Sequence, residues 1–177
     1  MYPYFSKNEN VDEDIVENNV SKSDLDDKED ILEDILDKDD FRAYIIEALQ
    51  EAIEDQQENV KLYEKIYNMI TDEKDKNVLR QIYLNEMKYE KIFIEIYKML
   101  TGKEPVIRPD EDVEIDIDDS LKEELEDAIE EQLEDIEFYR MLMSAFVDLP
   151  VRDMIYEVIL GKQKNAQLLS NLYNKYR

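Results

Sequence analysis

Two stretches of this chain, 76 residues apart, are copies of one another, and both carry the period of an amphipathic helix. Ala52-Ile53-Glu54 recurs as Ala128-Ile129-Glu130. The same spacing carries Gln56 onto Gln132, Glu58 onto Glu134, Tyr63 onto Tyr139, Asp72 onto Asp148 and Tyr97 onto Tyr173, without a gap. Self-similarity at a fixed spacing marks a repeated supersecondary unit. Within the first copy, Leu49, Ala52, Ile53, Val60, Tyr63, Ile66, Tyr67 and Ile70 share one stripe, which predicts a helix over 41–70. Val78, Leu79, Ile82, Tyr83, Phe93, Ile96 and Leu100 share another, which predicts a helix over 74–100.

The punctuation agrees with the periodicity. Asp39 or Asp40 is a suitable N-cap for the first helix. Gly102 closes the second, with Pro105 beyond it. Residues 103–119 have no helical period and read as an acidic connection. Ser120 and Glu123 form a capping box ahead of a third helix over 121–147. Asp148 and Pro150 open a fourth, running to about residue 174. Hairpins over 41–102 and 120–176, joined by one long crossover at 103–119, predict an all-α, antiparallel four-helix bundle. The short turns within each hairpin weigh against a coiled-coil pair. Residues 1–40 form an acidic N-terminal tail, too poor in apolar residues to build a core of its own. Leu25, Ile31, Leu32, Ile35 and Leu36 within it would suit a short helix.

Composition excludes many function classes. With Gly at 2 and Pro at 4 there is little material for the turns of a β fold, while 43% apolar residues suffice for a core. A net charge of −25 repels nucleic acid and anionic membranes and leaves basic proteins or divalent cations as partners. Cys is 0, which removes disulfides, thiolate metal sites and cysteine nucleophiles. His is also 0, which removes histidine-based triads, histidine-held haem and most catalytic zinc sites. No apolar run approaches a membrane span, and "MYPYFSKNENVDED" lacks the pattern of a signal peptide, so the expected location is cytoplasmic. The run "DEDVEIDIDD" lacks the spacing of an EF-hand and suggests at most diffuse Ca²⁺ attraction. The 12 tyrosines fall mostly on core stripes, those of "MYPYF" excepted.

Each helical stripe is broken near its middle by a polar residue: Gln56, Glu86, Gln132 and Lys162. Gln56 precedes its hairpin turn by about as many residues as Glu86 follows it, so both stand at one height. The repeat does the same for Gln132 and Lys162, with Tyr89 and Asn165 one turn along. Two readings of Lys162 are open: an internal pair with Glu86, or a stem that snorkels outward between helices. Gly161 beside it either makes room for the polar cluster or marks a local bulge.

This pattern resembles the ferritin-like superfamily, most closely its rubrerythrin-like members, over about residues 41–176. The resemblance implies a dimetal site: a Glu seven residues before a Tyr on the first and third helices, and Glu-x-x-His on the second and fourth. Here those positions read Gln56 before Tyr63, Gln132 before Tyr139, Glu86-Met-Lys-Tyr89 and Lys162-Gln-Lys-Asn165. Glu86 alone keeps the family's ligand. Two dications need about four carboxylates, whereas Glu86 and Lys162 sum to no charge. The expectation is a degenerate site, remnant residues Gln56, Glu86, Tyr89, Gln132, Lys162 and Asn165, with the Lys162 ammonium in place of metal. No cofactor is then expected. A fallback site for one Mn²⁺ or Ca²⁺ would use Glu86, Glu90 and Asp135, although Glu90 and Asp135 more naturally face the surface.

The function expected is non-catalytic, a structural or interaction role with an unknown, basic protein partner. The alternative is the family's own: an oxidoreductase or iron-handling protein holding Fe or Mn. A third reading, a small-molecule pocket at the level of Gln56, requires a cavity there. The resemblance also implies pairing into a homodimer along a helical face.

Overall fold

The computed structural model describes residues 38–109 and 120–176. Four helices account for nearly all of them: α1 (Lys38–Met69), α2 (Glu73–Thr101), α3 (Leu121–Ser144) and α4 (Leu149–Tyr176), with no strand among the described residues. Residues 1–37, with "MYPYF" and the short helix expected near 25–36, lie outside them. So does 110–119, with most of the acidic run.

The ends of the helices follow local chemistry. Asp72 is extended and accepts from the backbone N–H groups of Lys74 (2.8 Å) and Asp75 (3.2 Å), satisfying donors at the start of α2. Gly102 adopts φ 69° and donates to the Lys98 carbonyl, a left-handed cap where a side chain would be strained. Ser120 and Glu123 form the capping box, the Ser120 N–H reaching Glu123 Oε2 at 2.9 Å. Asp148 accepts from the Val151 N–H at 3.1 Å and opens α4.

Two helix boundaries differ from expectation. The first helix begins at Lys38, so Asp39 and Asp40 are not caps but first-turn acids, placed where the helix dipole favours negative charge. The third helix stops at Ser144 and not at 147. Ala145 and Phe146 instead turn back onto Leu142 and Met143 carbonyls at 3.1 and 3.3 Å. This leaves Val147 93% exposed in the turn.

The buried apolar side chains form two clusters. One gathers Leu49 and Ile53 of α1, Phe93 and Ile96 of α2, Tyr139 of α3 and Ile155 and Val158 of α4. The other gathers Tyr63 and Ile66, Leu79 and Ile82, Leu125 and Ala128, and Leu169 and Leu172. Burying side chains of this size stabilises by about 1.5–3 kcal/mol each. In every helix the polar residues fall between its contributions to the two clusters. The start of the crossover is fastened to α1 by two glutamines one heptad apart. Gln50 donates to the Val106 carbonyl (2.7 Å) and accepts from its N–H (3.0 Å). Gln57 does the same with Arg108, at 3.1 and 3.2 Å. The Arg108 guanidinium also pairs with Glu54 and Glu58. No described helix is long and apolar enough to cross a membrane.

Candidate functional site: an ammonium between two carboxylates

Lys162 is fully buried, and its ammonium stands 2.6 Å from Glu86 Oε2 and 2.6 Å from Asp135 Oδ2. It does not snorkel. Helix α4 delivers it because Lys162 follows Val158 and Ile159 by one turn on the buried stripe. Asn165, one turn further, donates to Glu86 Oε1 at 2.8 Å and accepts from Asn85 at 3.0 Å. Gln56 is oriented by its neighbours. With its nitrogen on Glu86 Oε2 (2.7 Å), its oxygen accepts from the Tyr139 hydroxyl (2.7 Å) and the Lys162 ammonium (3.2 Å). The reverse orientation would set its oxygen against a carboxylate.

Gln132 does not join that chain of bonds. It donates to the Tyr63 hydroxyl at 3.1 Å, and its oxygen has no partner within the protein. Gln56 with Tyr139, and Gln132 with Tyr63, are the same pair displaced by 76 in each member. Asn59, also fully buried, leaves both amide atoms unbonded within the protein. The polar side chains thus satisfy one another around Glu86 but not near Tyr63.

Tyr89 contributes a ring and not a hydrogen bond, its centroid 6.0 Å from the Lys162 ammonium. It also explains Gly161. A Cβ there would lie 1.7 Å from the Tyr89 hydroxyl oxygen and 2.4 Å from the ring carbon bearing it. Gly161 is α-helical, so it is a space for Tyr89 and not a bulge. Asp135, read from sequence as a surface residue, is buried at 7% exposure and is the second carboxylate on Lys162. Its position three residues after Gln132 was the available signal; the weight given to the family's own positions hid it.

Two further acids missed in the sequence crowd this level. Burial, reinforced by the charge of Asp135, pushes Asp55 up to about 7. The same two causes push Glu131 up to about 7. Burial also raises Glu86 and carries Tyr63 and Tyr139 well above the usual phenol range. Lys162 moves the other way from what burial alone dictates: Glu86 and Asp135 outweigh desolvation and hold it protonated.

The residues present do not fit a dimetal group. Both oxygens of Glu86 are engaged, and a cation stands in ion-pair contact with both Glu86 and Asp135. Among the described residues no three acidic side chains converge to hold a metal, so the trio Glu86, Glu90 and Asp135 does not assemble. Nor is there access: Gln56, Glu86, Gln132, Lys162 and Asn165 have 0% exposure. None of them lines the surface pockets of about 240, 510 and 340 Å³. The third reading, a small-molecule pocket at the level of Gln56, gains no support from them. The chain matches no family model, no curated protein and no solved structure.

Proposed function

We propose that this chain is a ferritin-like bundle without a dimetal site, and that it works as a non-catalytic structural or interaction protein. The observation that carries the reading is the Lys162 ammonium, 2.6 Å from both Glu86 and Asp135, at the position that matches the Glu of the family's Glu-x-x-His. The two core clusters support the topology. Helices α1 and α4 enter the cluster around Phe93 first and the cluster around Tyr63 second, whereas α2 and α3 meet them in the opposite order. Two antiparallel hairpins joined by a long parallel crossover have that order. The reciprocal Gln56–Tyr139 and Gln132–Tyr63 bonds fit a two-fold repeat. With its polar level closed and its surface strongly acidic, the molecule has outward contacts as its means of action.

Metal content measured by mass spectrometry, after anaerobic dialysis against Fe²⁺ and Mn²⁺, tests the reading. Less than about 0.1 metal per chain and no Fe²⁺ oxidation are expected, because binding would require expelling a paired ammonium. One or two tightly held metals per chain would restore the oxidoreductase reading.

A further inference from the structure

The flank of the bundle between α1 and α3 carries an open groove of about 340 Å³, lined by Phe41, Tyr44, Phe138, Met141, Leu142 and Ala145 among others. Its apolar walls are solvent-facing: Tyr44 is 56% and Met141 60% exposed. Exposed apolar surface gathered into a concave patch marks a contact site more often than a bare surface. Charge then says what fits. Glu47 and Glu51 follow Tyr44 and Ala48 by three residues on α1, and Glu134 and Glu137 precede Phe138 and Met141 by four on α3. All four are therefore neighbours of the groove wall on their helices. All four are exposed, and none enters an ion pair among the described residues.

We infer that this groove docks an amphipathic helix of a partner protein, with two or three large apolar side chains seated in the groove and Lys or Arg facing Glu47, Glu51, Glu134 and Glu137. An apolar groove with carboxylates beside it suits the helix-in-groove mode of recognition. A second copy of this chain is disfavoured as occupant. It would bring a further net charge of −25 against these same carboxylates. The inference rests on the reading of the bundle as an interaction protein and gives that role an address and a partner chemistry.

The test uses the full chain, with its metal content measured on the same preparation. It is titrated, at about 150 mM salt, with a synthetic peptide of about 18 residues carrying Leu on one helical face and Lys on the other. A matched Leu/Glu peptide is the control. Saturable binding in the micromolar range is expected for the Lys peptide and none for the Glu peptide. The pair Tyr44→Ser with Met141→Ser should weaken binding about tenfold or more, and so should Glu47→Lys with Glu137→Lys. Circular dichroism checks that both variants fold.

No binding, equal binding of both peptides, or a loss that follows the charge pair but not the apolar pair overturns the docking site. A dimer in sedimentation that Tyr44→Ser with Met141→Ser dissolves also overturns it, in favour of a second copy. Bound metal alongside intact peptide binding would sink the non-catalytic reading while leaving the groove standing, so the two fail separately.

Discussion

Lys162 is the residue on which the polar level depends. Its ammonium offsets Glu86 and Asp135 in a region without water access, so removing it leaves two buried carboxylates facing each other. Lys162→Met, close in size and apolar, should cost about 3–5 kcal/mol in urea unfolding at pH 8. The loss should shrink at pH 5, where Glu86, raised by burial, takes up a proton more readily. A cost below about 1 kcal/mol at pH 8 would mean the ammonium is not the partner of these acids in solution. Sequence made Lys162 and Glu86 legible as a pair because both interrupt apolar stripes at matching heights. It concealed Asp135, Asp55 and Glu131 because a carboxylate on an acidic helix is ordinarily solvated, and only the crossing of α1 and α3 decides otherwise.

At the scale of the helices, several starts and stops were readable because caps are local: Gly102, Ser120 with Glu123, and Asp148 act on backbone groups within a few residues. The early end of α3 was not, since nothing local forbids a further turn before Pro150. Nor was the fastening of the crossover by Gln50 and Gln57, which joins residues 50 or more apart. The packing of α2 on α4 gives a sharper test. Alanine is a better helix former than glycine by about 1 kcal/mol, yet Gly161→Ala would drive a methyl into the Tyr89 ring. The expected outcome is a net destabilisation of about 1–3 kcal/mol. In a Tyr89→Leu background the sign should reverse, which a double-mutant cycle of thermal unfolding would read.

For the whole molecule the raised acids set an unusual pH response. Asp55 and Glu131 hold their protons more tightly folded than unfolded. Their contribution is therefore present near pH 4 and is lost as pH rises to about 7, beyond which it is flat. Glu86, also raised, acts in the same direction. Asp72 and Glu123 are lowered and act oppositely, but both are fully exposed and count for little. Relief of self-repulsion at −25 adds to the trend. The melting temperature should be higher at pH 5.5 than at pH 8, by roughly 5 °C or more. Asp55→Asn with Glu131→Gln should flatten the profile, and an unchanged slope would locate the effect elsewhere.

Glu86 and Lys162 are 76 residues apart, so equivalent places in the two copies bear opposite charges. Two copies of the first half, brought together, would set Glu86 against Glu86 with no ammonium between them; two copies of the second would keep Lys162 beside Asp135 but lack Glu86. The halves are not interchangeable but counterparts, like two gloves of a pair. Joined through Glu86 and Lys162, the chain is committed to folding as one.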